Sequence, residues 1–92
     1  MTMQSPVLEA HRFGPRNGFE FDVRLYSFGV YVCQRYDGEG QAKVEQSSVF
    51  PDKTSFAKWC DAALVRHAEP LLQESLKRCV DDLFEVLRRS ST

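Results

Sequence analysis

The chain has 92 residues, 42% hydrophobic and 27% charged, with 12 Lys and Arg against 13 Asp and Glu and a formal net charge of −1. That mixture is the composition of one folded domain, 1–92, rather than a disordered tail, and near-neutrality excludes a protein that holds duplex nucleic acid by bulk positive charge. A domain this size buries only about two thirds of the surface its unfolded chain exposes, so its core is thin.

Met1 to Glu9 carries no basic stretch followed by an apolar one, and no window reaches the roughly 18 apolar residues of a membrane helix. The cysteines, Cys33, Cys60 and Cys79, are odd in number and widely spaced. Reduced thiols in a cytoplasmic protein without membrane contact are therefore expected.

Val7 to Phe13 reads as a first strand, followed by turn residues from Gly14 to Gly18. The clearest strand is Phe19 to Tyr26, where Phe19, Phe21, Val23 and Leu25 alternate with Glu20, Asp22, Arg24 and Tyr26. Val30 to Tyr36 and Ala42 to Phe50 supply a third and a fourth strand. Every connection is too short for a parallel crossover, so the strands form an antiparallel meander. A turn at Phe28-Gly29 sets Leu25 opposite Val32, Val23 opposite Gln34, Tyr26 opposite Tyr31 and Asp22 opposite Arg35. A loop from Tyr36 to Gly40 then sets Val32 opposite Val44 and Cys33 opposite Lys43.

All glycines precede Phe50-Pro51-Asp52, and helical spacing follows it. Phe56, Trp59, Cys60, Ala63, Leu64 and His67 form the apolar stripe of a helix over 54–67, with Asp52 or Thr54 as its cap. Pro70 stops that helix and can open another, running to Arg89. The expected fold is α+β: a four-stranded antiparallel meander followed by two C-terminal helices split near Pro70. In the second helix Leu72, Leu76, Cys79, Leu83 and Leu87 form one seam, with Val80 and Phe84 beside it. Its apolar arc spans roughly 160°, wide for one surface. The first helix already covers part of the sheet, so Leu72, Leu76, Val80, Leu83, Phe84 and Leu87 are expected to offer surface to a partner, most simply as a two-fold homodimer.

No catalytic or metal site is expected, and no cofactor. Cys60 and His67 are the closest pair of candidate zinc ligands, seven residues apart on an apolar stripe, unlike the tight pairs of structural zinc sites. Cys33 is expected outside the core between Arg24 and Lys43, which would favour its thiolate, but no base is placed beside it. His11 is expected on the core face opposite Phe21. Gly38 and Gly40 lie between strands, not before a helix, so no phosphate loop is present. Asp81, Asp82, Glu69 and Glu74 read as solvated helix positions.

Nucleic acid is the remaining ligand class to weigh. Arg24, Tyr26, Tyr31, Arg35 and Lys43 share the outer sheet face, where rings can stack on unpaired bases and cations follow the backbone. Glu20, Asp22 and Glu45 occupy that face too, and pairing of Arg12 with Glu20 and of Asp22 with Arg35 accounts for the same residues. Four strands followed by a helix, over about Val7 to His67, resemble in topology the repeat of Pur-type proteins and the related PC4-like and Whirly single-stranded nucleic-acid binders. The resemblance implies a curved sheet that contacts nucleic acid through Arg24, Tyr26, Tyr31, Arg35 and Lys43, with helices assisting dimerisation. The chain also resembles short bacterial proteins in general character, which implies no activity. A non-enzymatic, self-associating protein-interaction module is the leading expectation. Single-stranded nucleic-acid binding is the alternative.

Overall fold

A computed structural model describes residues 6–38, 43–62 and 67–90. Among these, strands β1 (Glu9–Arg16), β2 (Phe19–Tyr26), β3 (Gly29–Tyr36) and β4 (Val44–Phe50) lie side by side in chain order, each antiparallel to the next. Helices α1 (Lys53–Ala62) and α2 (Pro70–Ser90) follow and pack on one face of the sheet. The architecture is the α+β meander that alternation and short connections predict.

The β1–β2 hairpin is tighter than expected. It turns on Asn17 and Gly18 alone, both with positive φ (52° and 85°), and Arg16 pairs with Phe19. Asn-Gly suits this two-residue turn because both residues tolerate φ > 0. Gly14 and Pro15, expected in the turn, instead lie inside β1 where the register shifts, and the peptide between them is cis. His11 consequently pairs with Val23 rather than Phe21, and it is exposed and hydrogen-bonded to Glu9 (3.3 Å).

The next two registers differ from expectation by even numbers of residues. The β2–β3 turn is Ser27-Phe28, which pairs Leu25 with Val30, Val23 with Val32, Arg24 with Tyr31 and Asp22 with Cys33. Gly29 belongs to β3 because the backbone of Phe50 passes close: a Cβ on Gly29 would sit 2.6 Å from the Phe50 carbonyl oxygen. On the other side of β3, Val32 faces Ser48 and Cys33 faces Ser47, not Val44 and Lys43. This register sets Phe50 opposite Val30, where it is buried against Phe56 and Trp59 of α1. The expected one would have spent that core position on Gln46. Even shifts leave every side chain on its expected face, because strand side chains alternate with a period of two. The predicted strand start at Ala42 and the end of the preceding loop at Gly40 lie outside the described residues.

Phe19, Phe21, Val23, Leu25, Val30, Val32 and Phe50 form the inner face of the sheet and are buried. Asp52 caps α1, accepting from the Ser55 amide (2.8 Å), while its own carbonyl accepts from the Ser55 hydroxyl (2.9 Å). Phe56 and Cys60 of α1 are buried and Trp59 is half-buried, as the stripe predicts; Ala63 and Leu64 lie outside the described residues. Pro70 opens α2, and an ion pair from Arg16 to Glu69 (3.0 Å) ties the end of β1 to that start. Lys53 reaches Glu85 (3.3 Å) and Asp81 (3.6 Å), tying α1 to α2. No helix among the described residues is long and apolar enough to cross a membrane.

The broad arc of α2 is spent inside the domain. Leu72, Leu76, Val80, Leu83 and Phe84 are buried and Leu87 is half-buried, all in contact with the chain's own core. The expectation that these six residues face a partner is therefore corrected. Ten-residue α1 packs chiefly on β4, while α2 packs on β1, β2 and β3 and uses most of its apolar arc to do so, with Val86 at the margin of the arc exposed.

Candidate functional site

The face of the sheet away from the helices is open, and its side chains sort into two halves. The first is a charge ladder with a member on every strand. Asp22 of β2 is buried and accepts from Arg12 of β1 (2.9 Å) and from Arg35 of β3. Glu20 lies beside both guanidinium groups (3.5 and 3.7 Å), and Glu45 of β4 reaches Arg35 (3.4 Å). Burial raises the Asp22 pKa, but hydrogen bonds from Arg12 and Arg35, with their charges, outweigh it and hold the carboxyl below its ordinary value. The expected stitching of this face by Arg12, Glu20, Asp22 and Arg35 is therefore present.

The second half is aromatic. The Arg24 guanidinium lies 5.6 Å from the Tyr31 ring centroid, and Tyr26 stacks on Phe28 at 5.1 Å. Tyr31 also pairs across the ladder with exposed Val49. Tyr26 meets Gly29 rather than Tyr31, because of the two-residue change of register.

Of the candidate nucleic-acid residues, the structure brings together only Arg24 and Tyr31. Arg35 stands in the charge ladder, and Lys43 precedes β4 with Asp37 at 3.7 Å. No continuous basic track results among the described residues, because the guanidinium groups of Arg12 and Arg35 already face carboxylates on their own sheet.

Cys33 also departs from expectation. It lies on the outer face yet is 1% exposed, flanked across strands by Asp22 and Ser47 instead of Arg24 and Lys43. Its thiol donates to Glu45 (3.3 Å). Burial first, and that hydrogen bond second, push the Cys33 thiol above its ordinary pKa, the reverse of the activation a nucleophile needs. Burial likewise pushes Cys60 and Cys79 up to about 11. Between α1 and α2 runs a groove of about 770 Å³ bordered by Lys53, Phe56, Cys60, Gln73, Lys77 and Asp81. Among its described lining residues no nucleophile is paired with a base. Among the described residues no cluster of three His, Cys, Asp or Glu side chains is placed to hold a metal.

The edges of the sheet hold a feature that patterning by face does not register. β4 is an edge strand, paired among the described residues only with β3. Its sequence, Val-Glu-Gln-Ser-Ser-Val-Phe, contains no Pro and no Lys, and its register against β3 runs unbroken from Val44 to Phe50. Val44, Gln46 and Val49 are exposed and Ser48 is half-buried, so Phe50 alone in the strand is fully buried. At its inner border Gln34 is buried and donates to Gln46 (2.5 Å), while Gln34 Oε1 has no hydrogen-bond partner. The absence of edge-guarding residues in β4 was the available signal, and it acquires meaning only once the strand order is known. Comparison with protein-family models, curated proteins and solved structures returns no match.

Proposed function

We propose that the chain is a non-enzymatic protein-interaction module that works through the free edge of β4. The observation that carries this reading is the contrast between a regular, nearly uncharged edge and the devices by which proteins usually blunt such edges. An unpaired strand presents a row of backbone donors and acceptors that an extended segment of another chain can complete, with exposed Val44 and Val49 offering apolar contact on the two faces. Thiols whose pKa values burial raises, and the lack among the described residues of an acid, base and nucleophile in one place, support a role without chemistry. Free cysteines at Cys33, Cys60 and Cys79 suit a reducing cytoplasm.

Hydrogen exchange tests the edge directly. Amides of β4 are expected to gain protection as protein concentration rises, or on adding excess peptide of the β4 sequence. Exchange of β4 as an open edge under every condition overturns the reading. The stacked Arg24–Tyr31 and Tyr26–Phe28 pairs favour single-stranded nucleic acid as a second reading. Anisotropy of a labelled oligonucleotide at low salt decides it: no binding there removes it.

A further inference from the structure

We infer that the strand added to β4 is β4 of a second copy, paired antiparallel about a two-fold axis at Ser47. This rests on the reading of β4 as the interaction edge and names its partner. A two-fold axis perpendicular to the sheet makes one residue of the strand face itself, and it keeps the helices of both copies on the same side. Ser47 is the middle of Val44–Phe50, so an axis there overlaps the whole strand. Val44 then faces the partner's Phe50, Glu45 the partner's Val49, Gln46 the partner's Ser48, and Ser47 the partner's Ser47.

Each of these pairings is chemically favourable or neutral. Val44, 37% exposed, gains an apolar neighbour on the inner face, where Phe50 is already packed on Phe56 and Trp59. The exposed Gln46 side chain meets a hydroxyl, and the axis passes between two small side chains. An axis at Glu45 would oppose two like charges. At Gln46 it would leave Phe50 unpaired, and at Ser48 it would bring in Pro51, which has no amide hydrogen to donate. The strand is thus self-complementary in one register. The result is a single sheet continuous across both copies, with the β4 edges removed.

Sedimentation velocity of the full chain over micromolar concentrations is expected to show a species of twice the 10.6 kDa chain mass. Ser47→Lys, which opposes two cations at the axis, should weaken association at least tenfold with an unchanged far-ultraviolet spectrum. Val44→Lys on the other face provides the same measurement if the first variant does not fold. Directly opposed residues lie about 4.5–5.5 Å apart between Cα atoms, within disulfide reach. Ser47→Cys in a Cys33→Ala background, which removes the thiol opposite it in the same chain, should therefore form a disulfide-linked dimer through position 47. A monomer at every concentration, with β4 still protected by the peptide, overturns the second copy and leaves the edge reading standing. A monomer whose β4 no peptide protects overturns both. A dimer that persists in folded Ser47→Lys and Val44→Lys, without the disulfide, also overturns the inference.

Discussion

The two edges of this sheet are built on opposite plans. β1 carries the Gly14-Pro15 irregularity, two arginines and a histidine, and it is tied down by Arg12 to Asp22 and Arg16 to Glu69. β4 is regular, has Glu45 as its only charge, and is fully buried only at Phe50, which packs on Phe56 and Trp59 of α1. Charges and bulges on an edge deter addition of another strand, and here they are concentrated on one side of the sheet and nearly lacking on the other. Openness in a small domain therefore has a location, and strand order gives it.

Substitutions can sharpen this contrast. The largest effect is expected under α2, which covers the β1, β2 and β3 side: Leu76→Ala, at a fully buried position, should cost about 2–5 kcal/mol in urea unfolding. Asp22→Asn removes the carboxylate between Arg12 and Arg35 and should cost about 1–3 kcal/mol, much of the arginine charge returning to water. The sign of its pH dependence follows from the lowered pKa. The stabilisation is present above the unfolded carboxylate value, near pH 4, and is lost as pH falls through the folded one. An acid-unfolding titration of Asp22→Asn should accordingly show a shallower loss of stability below about pH 4 than the parent. Gly18→Ala forces an L side chain to φ +85° in the β1–β2 turn and should cost about 1–2 kcal/mol, read as a lower thermal midpoint. Val44→Ser, on the bare side, should change unfolding by under about 0.5 kcal/mol when measured in the Ser47→Lys background. A loss comparable to Leu76→Ala there would show that β4 is covered after all and break the contrast.

Face assignments were legible residue by residue, whereas pairings were not. Alternation placed Asp22, Arg24, Tyr31, Cys33 and Arg35 on the outer face and Val23, Leu25, Val30 and Val32 inside, and the structure keeps each there. Partners moved by two residues between β2 and β3 and by four between β3 and β4, the latter register placing Phe50 opposite Val30 and burying it beside Phe56 and Trp59. That movement changed the chemistry expected at Cys33, from a thiolate between cations to a thiol donating to Glu45. Asn17-Gly18 was legible as a type I′ turn but hidden in a five-residue stretch with four turn formers, Gly14, Pro15, Asn17 and Gly18.

Composition, alternation and the helical stripes were enough to determine the α+β class, the strand faces and a helix opening at Pro70, since each depends on the chemistry of neighbours a few positions apart. How much apolar surface is left over depended on tertiary structure, because the arc of α2 looks surplus on a helical wheel and most of it packs on three strands in space, leaving Val86 exposed at its margin. The open edge depended on it too. A strand of Val44–Phe50 is unremarkable as a segment and becomes a sheet edge only by lying last in the strand order, a position set by the folding of the whole chain.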